Sequence, residues 1–193
     1  MKFCPNCGNP LEPVLADGRA RPACVAQGCG FIHYGNYSVG VGGLVLHHDR
    51  VLLIQRNQDP GKGLWTIPGG YVEFDETAET GVVREIEEET GIQTRLVGLV
   101  GFRSRVNPRN NDAYAVFLLE PVGGQLIATP NEEIARVEFF GLEELQHLHP
   151  LPPVSMQLAS MAIRGELQAL TGHTIQRFNT TDSDTVFLSR REA

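Results

Sequence analysis

The sequence predicts an α/β fold of the α+β type, in which helices cover a mixed β-sheet, preceded by a small cysteine-bearing segment. Short apolar segments of strand length alternate irregularly with helical segments, and tight turns join some of the strands. Irregular alternation with hairpins favours a mixed sheet over a regular parallel one. All four cysteines lie within residues 4–29, ahead of these segments. The cysteine-bearing segment is therefore expected to form a unit of its own.

Length and composition are those of one globular domain with a small appendage. The chain has 193 residues, of which 41% are apolar and 20% are charged. A net charge of -7 argues against a surface that binds duplex nucleic acid. It is compatible with a small phosphorylated substrate, because a bound metal reverses the local charge. We find no apolar run of membrane-spanning length and no apolar signal core, and we expect a cytoplasmic protein.

The cysteines form two pairs, and a glycine follows each pair directly. Cys4 and Cys7 are separated by two residues, and Cys24 and Cys29 by four. Two such pairs in a short segment are typical of a Cys4 zinc ribbon, which we predict over residues 1–34. Metal binding would supply the folding energy that so short a segment lacks. Two disulfides of a secreted protein are the alternative, and the ribbon is also interpreted as a structural staple without further function.

The main domain is predicted over residues 35–171 from the order of its elements. Val39–Leu46 and Val51–Arg56 have the composition of strands and flank a polar turn, as in a hairpin. Gly69-Gly70 turns the chain ahead of a helix over residues 77–90. The later predictions are, in chain order, strands over 96–103 and 112–119 with a polar loop over 104–111 between them, a strand over 135–140, a short helix over 141–145 and an amphipathic helix over 153–170.

Residues 172–193 form a polar tail whose structure the pattern leaves open. Thr185–Leu188 has the composition of a late strand, and partial disorder of the tail is the alternative.

The helix over residues 77–90 carries an unusual density of carboxylates. At about 100° per residue, Glu89 lies about 40° to one side of Glu85 and Glu88 about 60° to the other, so the three share one face. Like charges at this spacing repel each other, whereas a divalent cation that prefers oxygen ligands would offset the repulsion. Arg84 has the geometry to bind Glu76 with two hydrogen bonds. The alternatives are a solvated acidic face and a surface ion pair.

These residues match a known motif in full. Gly70, five residues, Glu76, seven residues and the run Arg84–Ile92 (REIEEETGI) resemble the Nudix box of the MutT-like hydrolases, and the approach Leu64–Gly70 is also typical. The wider resemblance covers roughly residues 37–165. With its ribbon, the chain is similar to the branch that contains FAD, ADP-ribose and NADH diphosphatases. The resemblance implies an α/β/α sandwich with a mixed sheet.

The resemblance also implies a reaction and a set of site residues. The reaction is metal-dependent hydrolysis of a nucleoside diphosphate linked to another moiety, by attack of water on phosphorus. Mg²⁺ or Mn²⁺ would be held by Glu85, Glu88, Glu89 and the Gly69 carbonyl, and Glu85 is also a candidate base. A later loop supplies a further carboxylate in many relatives, and the sequence does not choose among Glu132, Glu133 and Glu138. The predicted catalytic residues are Glu76, Arg84, Glu85, Glu88 and Glu89.

The substrate is predicted from a departure from one branch of the family. NADH diphosphatases carry the segment SQPWPFP after the box, and this chain has Val100–Pro108 (VGFRSRVNP) there. ADP-ribose or FAD is therefore the first expectation. The alternatives are an NADH or NAD diphosphatase, a capped-RNA hydrolase and, outside the enzymes, a nucleotide sensor with the same fold. No membrane partner is expected, and a homodimer is.

The candidate substrate contacts lie outside the box. Arg56, Tyr71, Arg103 and Arg105 are predicted to bind phosphates or base, and Phe102 and Tyr114 are further candidates for stacking. Each is also readily explained as a surface or core residue.

Overall fold

The computed structural model describes residues 1–106, 111–127, 130–176 and 183–189. Its contacts divide the chain into two compact units. The first contains Met1–Tyr37 together with Val106 and Asn111, and the second contains the described parts of Ser38–Arg105 and Asp112–Ala193. Within these described residues, no helix has both the length and the apolar character needed to cross a membrane.

The first unit is built on an antiparallel hairpin of strands β1 (Leu11–Ala16) and β2 (Arg19–Cys24). Asp17 and Gly18 join the strands with φ angles of 50° and 75°. Two successive residues with positive φ are the signature of a type I′ turn, whose twist matches that of the flanking strands. The hairpin therefore fixes the position of Cys24, which is the last residue of β2.

One six-stranded sheet forms the centre of the second unit. Its path runs β5-β4-β3-β7-β6, and β8 pairs with β4 outside that path. The strands of this sheet are β3 (Tyr37–His47), β4 (Arg50–Arg56), β5 (Trp65–Thr66), β6 (Ile92–Val106), β7 (Asn111–Gly124) and β8 (Ile134–Gly141). The predicted β3–β4 hairpin is present, with Leu46 opposite Val51.

Helices cover both faces of this sheet, as the alternating side chains of β4 require. Leu52 and Ile54 belong to the hydrophobic cluster that contains Val82 and Ile86 of the first helix. Val51 and Leu53 belong to the opposite cluster, whose helical members are Leu145, Ala159 and Ala162. The helices are α1 (Ala78–Thr90), α2 (Leu142–His147) and α3 (Pro153–Ile163). The predicted α/β/α sandwich with a mixed sheet is confirmed.

Helix α1 begins and ends where its sequence provides caps. The Thr77 side chain accepts a hydrogen bond from the Thr80 amide (3.3 Å), so Thr77 is the N-cap of the helix predicted from that residue. Gly91 ends the helix at φ 76°, and its amide donates to the Glu87 carbonyl. Gly43 of β3 lets the helix approach the sheet, because a Cβ there would lie 2.3 Å from Ile86 Cδ1.

The final helix is shorter than predicted. The prediction extended it over residues 153–170, but α3 ends at Ile163, and Arg164 is its C-cap. Gly165 follows at φ 67°, a left-handed conformation that stops a helix and that glycine adopts without strain. The apolar residues after it include Leu170, which pairs with Leu99 of β6 instead of continuing the helical stripe.

The polar loop predicted over residues 104–111 is shorter than expected, and the late strand of the tail is present. Strand β6 continues to Val106 and β7 begins at Asn111, while residues 107–110 lie outside the described ranges. In the tail, β9 (Thr171–Gln176) and β10 (Ser183–Leu188) form an antiparallel hairpin. The strand predicted over 185–188 is confirmed as part of β10. Phe187 of that strand packs against Phe117 in the core, with ring centroids 5.6 Å apart.

Candidate active site and cysteine cluster

The loop that precedes α1 lies along the first half of β3. The Gly43 amide donates to the Pro68 carbonyl (2.9 Å), and the Val41 amide donates to the Gly70 carbonyl (2.8 Å). Gly69, between them, has φ 147°, and a Cβ on it would lie 2.1 Å from the Val41 carbonyl oxygen. Only glycine fits this approach. The loop is therefore fixed to the sheet, beside the carboxylates of α1.

Arg84 is the hub of the carboxylate cluster. Its Nε and Nη2 donate to the two oxygens of Glu76, at 3.0 and 2.6 Å. Its Nη1 donates to Glu85 Oε1 (3.0 Å) and to Glu88 Oε2 (2.9 Å). Nη2 also donates to the Tyr71 carbonyl (3.2 Å). One guanidinium thus orients three carboxylates and attaches the helix to the preceding loop, and the predicted Arg84–Glu76 pair is present.

The pKa values of two carboxylates in this cluster, Glu76 and Glu85, are shifted in opposite directions. The bidentate bond from Arg84, assisted by the Glu73 amide, lowers the pKa of Glu76 to about 2. Burial raises the pKa of Glu85 above its usual value, although Arg84 partly opposes the shift. Glu76 is therefore a permanent anion that holds Arg84. Glu85 is a carboxylate whose charge is costly without a further cation.

Glu89 is the most deeply placed carboxylate of the set. It accepts a hydrogen bond from the Gly69 amide at 2.7 Å. Burial raises its pKa to about 8, and the charges of Glu85 and Glu133 add to the shift while that of Arg56 opposes it. Arg56 and Glu133 are therefore electrostatic neighbours of Glu89. Glu133 is thus favoured over Glu132 and Glu138 as the further carboxylate of the site.

Exposure does not distinguish the later carboxylates, since Glu132 and Glu133 are both exposed. Glu138 forms an ion pair with Arg136 on the same strand, whereas the charge of Glu133 helps to raise the pKa of Glu89. The Asn57 amide, just after β4, donates a hydrogen bond to the Glu133 carbonyl (2.7 Å). This contact of the fold places residue 133 beside the end of β4 and favours Glu133 over the other two carboxylates.

The donor set of the cluster fits a divalent cation, although its carboxylates do not meet at one point. Arg84 holds Glu85 and Glu88, and the Gly69 amide holds Glu89. Glycine at position 70 leaves room beside them, because a Cβ there would lie 2.5 Å from the Glu85 carboxylate. Several carboxylates, one of them half-buried with a raised pKa, suit Mg²⁺ or Mn²⁺, which take oxygen ligands.

The four predicted substrate contacts fall into two groups. Arg56 lies near Glu89, and its buried Nε has no hydrogen-bond partner among the described residues. Tyr71 is 66% exposed beside the Arg84 cluster. Arg103 and Arg105 of β6 both contact Asp112, at 2.7 and 3.2 Å.

Asp112 is a residue that the sequence analysis did not single out. It is nearly buried, and it binds both arginines. Its only signal in the sequence is one acidic residue at the start of a strand. The pairing across the β6–β7 ladder, which gives it a role, is not visible in that pattern.

The four cysteines converge in the first unit. The sulfurs of Cys4 and Cys29 are 3.6 Å apart, those of Cys7 and Cys24 are 3.4 Å apart, and all four lie within 4.8 Å of one another. Sulfurs around a tetrahedral zinc stand about 3.8 Å apart, given a Zn–S distance of about 2.3 Å. Disulfide sulfurs are much closer, at about 2.05 Å. The predicted disulfide alternative is therefore wrong for this structure, in which the cysteines are free.

Hydrogen bonds from Asn9 favour the thiolate form of Cys7, whereas the neighbouring thiols and burial raise the pKa values of Cys24 and Cys29. The Asn9 side chain donates to Cys7 Sγ at 3.4 Å and lowers the pKa of Cys7 to about 6. Among the described residues, the cysteines are also the one group of at least three metal-ligating side chains whose ligand atoms converge this closely. The donor set is that of a structural zinc site.

Comparison with known proteins identifies the family. Residues 36–159 match the family model described as NUDIX domain, and residues 2–35 match the zinc-ribbon model described as Nudix N-terminal. A NUDIX hydrolase from Nitrosomonas europaea has a similar structure, with a TM-score of 0.67 and 27% identity, over 85% of this chain and 91% of that one.

Two curated relatives differ in how much of the chain they match. The ADP-ribose pyrophosphatase of Methanocaldococcus jannaschii is 39% identical over 60% of this chain and 68% of its own length. The NAD-capped RNA hydrolase NudC of Vibrio atlanticus is 27% identical over 82% of this chain and 56% of its own length. The matched region thus spans about half to two thirds of these two relatives. With the family model matching most of the chain, the protein belongs to the Nudix hydrolase family and carries that family's N-terminal zinc ribbon.

Proposed function

We propose that this enzyme hydrolyses a nucleoside diphosphate linked to another group, with ADP-ribose as its first substrate. The observation that carries the proposal is the carboxylate cluster organised by Arg84, with Glu89 buried against the Gly69 amide. Similarity to an archaeal ADP-ribose pyrophosphatase supports the choice of substrate. The segment Val100–Pro108, which departs from the NADH diphosphatase pattern, favours ADP-ribose or FAD over NADH.

Glu85, Glu88, Glu89 and the Gly69 carbonyl are the proposed ligands of Mg²⁺ or Mn²⁺. When bound, such a cation polarises a phosphoryl oxygen and lowers the pKa of a coordinated water. Arg84 orients Glu85 and Glu88 for this role, and the Gly69 amide orients Glu89.

Glu85 is the proposed general base, with Glu133 as the assisting carboxylate. Burial raises the pKa of Glu85, which makes it a better proton acceptor than an ordinary surface carboxylate. In the reaction, a bond forms between the water oxygen and one phosphorus, and the bridging P–O bond breaks. The electron pair of that bond leaves with the second phosphate, so ADP-ribose yields AMP and ribose 5-phosphate.

Hydrolysis of NAD-capped RNA or of a free NAD-type dinucleotide is the second candidate. The match to NudC extends over 82% of this chain, against 60% for the ADP-ribose pyrophosphatase. The longer match supports this candidate, and the higher identity, 39% against 27%, supports ADP-ribose.

A substrate panel with Mg²⁺ or Mn²⁺ tests both candidates. We expect rapid release of AMP from ADP-ribose or FAD, and slower cleavage of NADH and NAD-capped RNA, with the products resolved by chromatography. Glu88→Gln and Glu89→Gln should each lower kcat/KM more than about 100-fold, beyond the usual cost of changes outside the first ligand shell. Glu87→Gln is the matched control on the same helix, since Glu87 is exposed and contacts Gln93. Unchanged turnover in the Glu88 and Glu89 variants would overturn the assignment.

A further inference from the structure

Strand β8 forms one edge of the central sheet. Among the described residues its one strand partner is β4, so the other side of β8 has no ladder of backbone hydrogen bonds. The edge of a sheet presents unpaired amides and carbonyls, to which a further strand can add. The structure therefore offers a backbone surface for pairing at β8.

A cavity of about 390 Å³ lies beside this edge. Five successive residues of β8, 134–138, line it together with Leu126, Ile127 and Pro130. Because successive side chains of a strand point to opposite faces of the sheet, a cavity that touches all five runs along the edge of the strand. The lining outside β8 is apolar, and Leu126 is 39% exposed. The structure thus leaves space, with an apolar border, where an added strand would lie.

The two charged residues of β8 have opposite signs. Arg136 and Glu138 are two positions apart, so they point to the same face of the sheet. They form an ion pair with each other at 2.5 Å, and their side chains are 60% and 42% exposed. Exposed pairs of this kind contribute little to stability. Exchanging this pair for pairs with another chain therefore costs little.

A second copy of β8 satisfies both charges in one register. In an antiparallel pair with its twofold axis at Val137, Arg136 of each copy lies opposite Glu138 of the other. Moving the axis by one residue places Arg136 opposite Arg136, or Glu138 opposite Glu138. Like charges directly opposite each other are destabilising. The charges of β8 therefore favour an antiparallel partner of the same sequence and also specify its register.

We propose that the protein forms a homodimer in which β8 of one copy pairs with β8 of a second copy. The contact joins two six-stranded sheets into one continuous sheet, and the apolar cavity borders the added strand on each side. The homodimer expected from the sequence thus receives a defined interface. That interface lies within the second unit and contains none of the proposed metal ligands, so it is independent of the proposed function.

Charge reversal at β8 tests the interface by sedimentation velocity of the full-length chain. Glu138→Arg places like charges opposite each other at both pairs and should raise the dimer Kd about 10- to 100-fold. Arg136→Glu should have a similar effect. The double variant Arg136→Glu/Glu138→Arg restores unlike pairs and should dimerise like the unaltered chain. Glu120→Arg is the matched control, because Glu120 is an exposed strand residue paired with Arg95 and lies away from β8.

An equimolar mixture of the two single variants provides a second readout. Each variant alone carries like charges at its own interface, whereas the two together are complementary, so the mixture should form a heterodimer. That heterodimer would also show that both variants are folded. An unaltered chain that is monomeric at its highest soluble concentration would overturn the proposal and leave the edge to an extended segment of another protein. A dimer that withstands both single reversals, or dimerisation that neither the double variant nor the mixture restores, would also overturn it.

Discussion

At the scale of single residues, the site depends on one cation that organises several anions. Arg84 contacts Glu76, Glu85 and Glu88, and only Glu76 gives it both oxygens. The lowered pKa of Glu76 means that this anchor remains charged at any working pH. Arg84 is therefore interpreted as a positioning residue, whereas Glu85, Glu88 and Glu89 are the candidates for contact with the metal.

Arg84→Lys tests the positioning role. Lysine keeps the charge but loses the planar fork that binds Glu76 while reaching Glu85 and Glu88. We expect kcat/KM to fall about 10- to 100-fold, as for changes around metal ligands, with a weaker apparent affinity for Mn²⁺. Manganese titrations of the initial rate give both quantities. Arg136→Lys, in an exposed ion pair, is the matched control and should change neither.

Glu89 gives the protein without Mg²⁺ or Mn²⁺ a defined dependence of stability on pH. Its pKa is about 8 in the folded chain and near 4.5 when unfolded, so the folded state binds the proton more tightly. The free energy of unfolding therefore decreases as pH rises from about 4.5 to about 8, as far as this group determines it. Chemical denaturation across that range should show a slope that is smaller in Glu89→Gln. Identical slopes in the two proteins would contradict the burial of this carboxylate.

At the scale of elements, helix α1 requires its C-terminal glycine for two reasons. Gly91 has φ 76°, and a Cβ on it would also lie 2.3 Å from the Gln125 carbonyl oxygen. Gly165, after α3, has a similar φ of 67° but nothing within 4 Å of the corresponding position. Comparison of Gly91 with Gly165 therefore separates the cost of the left-handed backbone from the cost of the steric conflict.

Gly91→Ala should therefore destabilise the protein more than Gly165→Ala. The left-handed conformation alone costs about 1–2 kcal/mol for a residue with a Cβ. The conflict with the Gln125 carbonyl adds to that cost only at position 91. Equilibrium denaturation of the two variants measures the difference directly. Equal destabilisation would mean that the loop around Gln125 relaxes freely.

The elements that the sequence predicted well are those with local signals. Helix α1 was predicted from its periodicity, with Thr77 at its start, and the two strands of the β3–β4 hairpin were predicted from their apolar runs and polar turn. The end of α3 was wrong because the apolar stripe continues past Gly165, and the prediction followed the stripe and not the glycine. The partner of Leu170 is Leu99, some 70 residues away along the chain by simple counting, and no local pattern identifies such a pairing.

The same distinction holds for the site. The box residues were found because their spacing is fixed within one helix and its preceding loop. Asp112, and the choice of Glu133 over Glu132 and Glu138, depend on which strands and loops meet in the fold.

At the scale of the whole molecule, each of the two units carries one candidate metal site, and the two sites differ in their ligand atoms. The cysteine cluster offers four sulfur ligands, which suit zinc, and the cluster around Arg84 offers carboxylates, which suit magnesium or manganese. The first unit is too small to bury an extensive core, so we expect a metal at its cysteines to stabilise its fold. The second unit has two hydrophobic clusters, one on each face of the sheet.

Elemental analysis tests this division. We expect about one zinc per chain in protein purified with its thiols reduced, as a Cys4 site requires. Dialysis against metal-free buffer should remove magnesium and manganese and retain the zinc. Cys24→Ser should lower the zinc content. Cys24 belongs to the first unit, whereas the residues proposed for catalysis belong to the second. A zinc content near zero in the unaltered protein would contradict the ribbon assignment.

In the proposed reaction, the carboxylates of α1 support attack of water on a phosphorus of a nucleoside diphosphate. The most direct test is to incubate ADP-ribose with the full-length chain and Mn²⁺ in isotopically labelled water, and to analyse the products by mass spectrometry. The account predicts AMP and ribose 5-phosphate, with one labelled oxygen in the phosphate of one product, and no such products with Glu89→Gln. Products without label in a phosphate group, or equal cleavage by the Glu89→Gln variant, would contradict it.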